Sequence, residues 1–291
     1  MASLEKLSPC KVNLLLNILG KRPDGFHELE TLFHPVNLCD RLTFSRAGDN
    51  IALTCSDSSL PTDTNNLVHR AATAFLSAVG IRDGVKIHLE KHIPMAAGLG
   101  GGSGNAATTL LGLNELFGSP LSLDQLHKLA ATLGSDVNFF LQAKPALATG
   151  RGEKVESLDD FPAMRSATFL LIHPGFGIST AWAYKALAHF PEALHGTPGR
   201  ARKLVSLMQG NDLRAAGKEF CNSLEAPALH KYPVLELYQE FLLQEGAAVS
   251  LMSGSGSTTF ALFQPPVDVS RVVEKFKTRF GATCWTAIVP V

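Results

Sequence analysis

The chain has 291 residues, of which 45% are hydrophobic and 18% charged, with 26 basic side chains against 26 acidic ones. That length suits two domains or one large one with a core of ordinary size. The zero net charge excludes a general electrostatic attraction to nucleic acid or to a membrane surface, so any anion site has to be local. Five cysteines, Cys10, Cys39, Cys55, Cys221 and Cys284, are scattered and never spaced Cys-x-x-Cys, which argues for a reducing compartment and against a disulfide framework or structural zinc. No stretch approaches the ~18 uninterrupted apolar residues of a membrane span, and the N-terminus lacks an apolar signal core. The expectation is a cytoplasmic protein without a membrane or nucleic-acid partner.

Residues 1–46 read as strands around a loop. From Lys11 to Leu19 the even positions are apolar, while Lys11, Asn13 and Asn17 share the opposite face of a strand. That face is either solvent-exposed, where a lysine needs no function, or a polar site. Pro23-Asp24-Gly25 signals a turn; Phe26 and His27 follow it and read as a core aromatic and a surface histidine, or as binding residues. Further strands are expected at Arg41–Ser45 and Ile51–Cys55, then a loop through Leu60–Asn66 and a helix over Leu67–Val79, with Asn66 suited to its N-cap.

Val85–Glu90 alternates apolar and polar residues as a half-buried strand does, and Ala106–Phe117 carries one helical stripe, Leu110, Leu111, Leu113, Leu116 and Phe117. Between them lies Pro94-Met95-Ala96-Ala97-Gly98-Leu99-Gly100-Gly101-Gly102-Ser103-Gly104, with five glycines from Gly98 to Gly104. Glycines let backbone N–H groups turn toward a ligand, and the following helix presents unpaired N–H groups and a partial positive charge. A phosphate is the natural guest. Ser103 either adds a hydroxyl to that site or its magnesium, or merely caps the helix. Two familiar phosphate loops do not fit: no Lys follows Gly102, as the Walker A pattern requires, and the Gly-x-Gly-x-x-Gly spacing is missing.

Downstream, a helix is expected from Leu121–Asp124 to Leu133, stopped by Gly134 in the left-handed conformation. Asp136 precedes Val137-Asn138-Phe139-Phe140 and either caps a short helix or does chemistry. A domain boundary is placed near residue 160, giving parts 1–160 and 161–291. Then come a strand over Thr168–Ile172, a helix over Ala181–His189 capped by Ser179 or Thr180, an exposed loop over 191–204, and strands at Val249–Met252 and Thr258–Phe263. The latter two flank Ser253-Gly254-Ser255-Gly256-Ser257, a flexible hairpin or a second glycine-rich binding loop. A helix over Val269–Phe280 and a strand near Thr283–Val289 complete an α+β, two-domain pattern whose site is expected in the inter-domain cleft.

The glycine loop resembles the central motif of the small-molecule kinases that act on galactose, homoserine, mevalonate and phosphomevalonate. Ser8–Leu14 and Arg22–Phe33 resemble the N-terminal signature of the diphosphocytidyl-methylerythritol kinases within that superfamily. Gly134-Ser135-Asp136-Val137, Ala148–Glu153 and Ser253–Ser257 resemble later motifs, so the likeness covers most of the chain. It departs at Asn138, where proline is more usual, and at Asn222-Ser223-Leu224-Glu225, which is assigned no role.

This resemblance implies a kinase fold and ATP-dependent phosphorylation of an alcohol on a cytidyl diphosphate substrate, in non-mevalonate isoprenoid biosynthesis. It implies Lys11 and Asp136 as catalytic residues. Residues Pro94 to Gly104, as spelled out above, would bind ATP with Asn66. Asn13, Phe26, His27, Phe33 and Thr180 would bind substrate, the aromatics holding the cytosine. ATP is the implied co-substrate with Mg²⁺, no protein metal ligand is singled out, and a monomer or weak homodimer is expected. A sister kinase for another alcohol, a dinucleotide-dependent oxidoreductase and a non-catalytic nucleotide-binding module are the alternatives.

Overall fold

A computed structural model describes residues 3–142 and 144–291, in a mixed arrangement of helices and strands. Two compact units form. One comprises the described residues within Met1–Cys10, Leu38–Pro94 and Gly100–Ala143; the other comprises Lys11–Asn37, Met95–Leu99 and those within Lys144–Val291. The units interleave along the chain because the two longest strands, β1 (Leu4–Lys21) and β2 (His27–Ala47), each contribute residues to both. Strand β2 is thus much longer than the predicted Arg41–Ser45.

In the first unit, β3 (Ile51–Cys55) runs parallel to β4 (Gly84–Glu90), and β4 pairs antiparallel with Arg41–Ala47 of β2. Helix α1 (Leu67–Val79) occupies the predicted residues: Asn66 caps its start, Gly80 closes it in the left-handed conformation, and Val68, Ala71, Ala72, Phe75 and Leu76 form its buried stripe. Helix α2 (Gly101–Leu116) begins five residues before the expected Ala106. Glycine is a poor helix former, so propensity placed the start too late; three of the loop's glycines in fact lie within the first turn. Helix α3 (Leu123–Leu133) starts with a Ser122–Gln125 capping box, and α4 (Val137–Phe140) follows it. Gly134 ends α3 in an extended rather than a left-handed conformation, φ 168° and ψ 158°.

In the second unit, β5 (Ala146–Gly150) pairs antiparallel with Leu29–Phe33 of β2 and with β6 (Lys154–Ser157). After β7 (Thr168–His173) come α5 (Thr180–Ala186), α6 (Pro191–Leu194), α7 (Arg200–Met208) and α8 (Leu213–Gly217). The expected loop over 191–204 is therefore partly helical, because Ala201 and Leu204 are buried and draw the basic run into an amphipathic helix. Strand β8 (Cys221–Asn222) pairs parallel with Leu15–Leu16 of β1. Helices α9 (Glu225–Lys231) and α10 (Val234–Gln244) precede β9 (Val249–Met252), β10 (Thr259–Phe263), α11 (Val269–Phe280) and β11 (Trp285–Pro290). An antiparallel sheet of order β11-β7-β10-β9 backs a core in which Tyr238 and Phe241 of α10 meet Phe276 and Phe280 of α11 at ring distances of 4.9–5.9 Å. No helix among the described residues is long and apolar enough to cross a membrane.

Candidate active site

In the second unit the candidate chemistry starts on β1. Its odd face is not exposed: Lys11, Asn13 and Asn17 are 3%, 1% and 2% accessible. The alternation was real, but both faces of this strand are covered. The Lys11 ammonium donates to Asn13 Oδ1, Asn13 Nδ2 donates to Thr31 Oγ1 at 2.8 Å, and Thr31 Oγ1 donates to the Leu15 carbonyl at 2.7 Å. Nζ also lies 5.2 Å from the ring centroid of Phe33, itself only 2% exposed. A buried ammonium needs compensating acceptors, and this chain of hydrogen bonds fixes the Lys11 head group along one direction. Asn17 serves elsewhere, donating to the Thr197 carbonyl at 2.8 Å.

The two glycine-rich stretches meet beside Lys11. Gly98 has φ 76°, and a Cβ there would lie 2.1 Å from the Ser253 carbonyl oxygen. Ser253 Oγ donates to the Gly98 carbonyl at 3.0 Å, and Thr258 N–H donates to the Ala97 carbonyl at 3.2 Å. A Cβ on Gly254 would come within 3.4 Å of both Lys11 Nζ and Asn13 Oδ1. Leu99 accepts from the Lys11 N–H at 2.9 Å. Ser253–Ser257 is therefore a packed loop rather than a free hairpin, with Ser253, Ser255 and Ser257 all buried.

The segment 222–225, to which no role was assigned, holds that loop from behind. Asn222 Nδ2 donates to the carbonyls of Met252 and Gly254 at 2.8 and 2.7 Å, and its Oδ1 accepts from Leu224 N–H. Glu225 Oε1 accepts from Met252 N–H at 2.7 Å and from Gln239 Nε2, while burial pushes its carboxyl up to about 7. Thr180 Oγ1 is 2.9 Å from Ser255 Oγ, whereas Ser179 caps α5 through Trp182 N–H.

Phe26 is not a core residue. It is 55% exposed, with the Arg151 guanidinium 4.7 Å from its ring centroid. The His27 ring lies 5.1 Å from that of Tyr184, a residue the sequence did not single out. Partial burial, with Lys21 nearby, lowers the pKa of His27 and favours the neutral imidazole, which offers one donor and one acceptor.

In the first unit the helix start is the main feature. Gly100 is the N-cap of α2 with φ 69°, so Ser103 is not the cap but the third helical residue. The Gly104 N–H donates to the Gly100 carbonyl at 2.9 Å as the first helical bond, which leaves the N–H groups of Gly101, Gly102 and Ser103 with no acceptor inside the helix. Pro94 precedes this stretch, with Met95 41% exposed, Ala96 at φ 50° and Ala97 buried. Asn66 Oδ1 accepts from Val68 N–H at 2.9 Å and its Nδ2 donates to the Pro61 carbonyl at 2.7 Å, the geometry of an N-cap. Asp136 stands at the N-cap position of α4, yet its side chain makes no capping hydrogen bond. Asn138 pairs with His127 Nδ1 at 3.1 Å.

Residues 66–144 match the GHMP kinases N terminal domain and residues 190–282 the GHMP kinases C terminal domain. A 4-diphosphocytidyl-2-C-methyl-D-erythritol kinase of Geobacter metallireducens is 40% identical over 264 residues, covering 90% of each chain. The enzyme of the same name from Syntrophus aciditrophicus is 43% identical over 263 residues, again covering 90% of each chain. A crystal structure of 4-(cytidine 5'-diphospho)-2C-methyl-D-erythritol kinase superposes with a TM-score of 0.79 at 34% identity, over 99% of this chain and 100% of that one. By domain models, sequence and fold together, the chain belongs to the GHMP kinases, and within them to the family of 4-diphosphocytidyl-2-C-methyl-D-erythritol kinases.

Proposed function

We propose that the chain transfers the γ-phosphoryl group of ATP to the 2-hydroxyl of 4-diphosphocytidyl-2-C-methyl-D-erythritol. The observation that carries this reading is the Lys11 ammonium, buried and aimed by Asn13 beside two interlocked glycine loops. A tertiary alcohol is a poor nucleophile at neutral pH. Asp136 accepts its proton as transfer proceeds. Lys11 offsets the negative charge that develops on the phosphoryl oxygens. The open N–H groups of Gly101, Gly102 and Ser103 hold phosphate oxygens at the positive end of α2. Pro94 to Leu99 lead the backbone into that site.

Mg²⁺ belongs to this reading as the ion that would offset the negative charge of the ATP phosphates. The residues offer it hard oxygen donors, the Ser103 hydroxyl (not used as a cap) and the Asp136 carboxylate. For the substrate, the exposed face of Phe26 suits stacking on a pyrimidine, and neutral His27 suits its hydrogen-bonding edge. Phe33 shapes the site through Lys11, and Asn13 and Thr180 act on the substrate side. Asn66 borders the adenine while capping α1. The division of labour between residues 1–160, binding ATP, and 161–291 is part of the same proposal.

The test is ADP release from ATP and Mg²⁺ with the cytidyl compound beside mevalonate, homoserine and galactose. Turnover confined to the cytidyl compound is expected, and Asp136→Ala should lose about 10²–10⁴-fold in kcat with the fold retained. A preference for another alcohol overturns the pocket assignment, and a fully active Asp136→Ala overturns the base.

A further inference from the structure

The ladder between β2 and β4 ends at Arg41 opposite Glu90. At the next position the backbone pairing is replaced by a side chain. Asp40, 0% exposed, turns its carboxylate toward the segment that leaves β4 for the glycine loop. Oδ1 accepts from the N–H groups of His92 and Ile93 at 2.8 and 2.9 Å. Oδ2 accepts from Asn105 Nδ2 at 2.9 Å and from the Lys91 ammonium. Asn105, the fifth residue of α2, also donates to Ser8 Oγ of β1 at 3.0 Å, and its Oδ1 lies 3.4 Å from Lys91 Nζ. Asp40, Asn105 and Ser8 are buried, and the Lys91 side chain is only 8% exposed.

The four bonds are divided between the two flanks of one loop. Three of them hold the strand exit, residues 91 to 93, and the fourth holds Asn105 of α2. The open N–H groups of Gly101, Gly102 and Ser103 lie between these anchors in sequence. A Cβ on Gly101 would meet Ile93 at 3.2 Å and Lys91 Nζ at 3.4 Å, so the clamped segment packs directly on the helix start. A core built for stability alone does better with apolar residues than with a buried ion pair. Four directional bonds on one carboxylate instead fix a backbone geometry.

We propose that Asp40 is a positioning residue for nucleotide phosphates: with Lys91 and Asn105 it staples the two flanks of the glycine loop and holds the N–H groups of Gly101 to Ser103 in binding order. The inference rests on the reading of that loop as the phosphate cradle.

The test compares the parent, Asp40→Asn, and the double variant Asp40→Asn/Lys91→Met by thermal melting, by KM for MgATP and for the alcohol, and by direct titration with MgADP and adenosine. Asp40→Asn keeps the two backbone acceptor bonds but turns an amide toward Lys91 and Asn105. It should raise KM for MgATP at least 10-fold, leave KM for the alcohol within about twofold, and narrow the preference for MgADP over adenosine. Its melting temperature should also fall, because a buried ammonium loses its counter-charge. The double variant removes that stranded charge. It should regain most of the thermal stability and not the nucleotide affinity, since Asn105 keeps Ser8 but still lacks its acceptor at position 40. A double variant with parental melting and parental KM for MgATP would reduce the network to packing and overturn the inference, even if the single variant fails to fold. A parent enzyme that binds adenosine as tightly as MgADP overturns the cradle itself. A parent with a strong MgADP preference that the folded double variant shares overturns only the role of Asp40.

Discussion

Replacing Glu225 with glutamine should stabilise this protein, and the gain should depend on pH in a defined window. The Glu225 carboxyl titrates near 7 in the folded chain, pushed there by burial, against an ordinary value of 4.5. A raised carboxyl favours the folded state while it stays protonated. That contribution is fully present below 4.5 and is lost as pH rises to about 7, at about 1.4 kcal/mol per pH unit. By pH 8 the ionised group costs at most about 3 kcal/mol relative to a neutral isostere. Glutamine keeps an Oε1 that accepts from Met252 N–H and Gln239 Nε2, so the support of the second glycine loop survives. His34 works in the opposite sense: burial lowers its pKa to about 4, so its contribution is present above 6.5 and lost as pH falls toward 4. The parent curve is therefore flattened between the two, and the difference between variant and parent is the quantity to measure. Urea unfolding followed by circular dichroism from pH 5 to 8.5 gives it. The advantage of Glu225→Gln should grow up to about pH 7 and level off. A variant no more stable than the parent at pH 8, or an advantage independent of pH, would refute the reasoning.

Phe26→Ala should raise KM for the cytidyl substrate about 10- to 100-fold, from the ~1–3 kcal/mol of one stacked base; melting should barely move, because the side chain is 55% exposed. An unchanged KM would remove Phe26 from the pocket. Gly98→Ala drives a methyl group to 2.1 Å from the Ser253 carbonyl at a left-handed φ, and both activity and melting temperature should fall sharply; retention of either would mean the loops part without cost. Chelation by EDTA should abolish ADP release and excess Mg²⁺ restore it, whereas turnover in metal-free buffer would exclude the ion from the reaction.

Elements with local punctuation were legible residue by residue. Helix α1 lies between a capping Asn66 and a left-handed Gly80, and α11 starts from a capping Asp268 at the expected place. The start of α2 was not legible, because three glycines contradict helix propensity and only packing places them in the first turn. On β1 the period was legible, but it left open whether the polar face was solvent-exposed or a site. The groups that cover it come from Thr31, Leu99 and Gly254, far along the chain. For the same reason Asn222, Glu225 and Asp40 carried no local signal: apart from Leu224, the partners that hold them sit 14 to 65 residues away. Lys11, Asn13 and Asp136 stood out by residue type and motif, whereas Thr31, which anchors the Asn13 partner of Lys11, did not.

The interleaving of the two units has a consequence for synthesis. All segments of the first unit have been synthesised once residue 143 is made, but the second draws on Lys11–Asn37 and on the chain through Val291. At roughly 5–20 residues per second, the remaining ~150 residues take about 10–30 s. For about half of that time Leu15–Leu16 of β1 wait without their later neighbour β8, whereas β5, which pairs with Leu29–Phe33, follows almost at once. A nascent chain halted in this interval presents bare strand edges of high β propensity, the species most prone to pair with another copy of itself. Ribosome-stalled fragments ending near residue 160 should therefore be chaperone clients, and those ending near residue 291 should not.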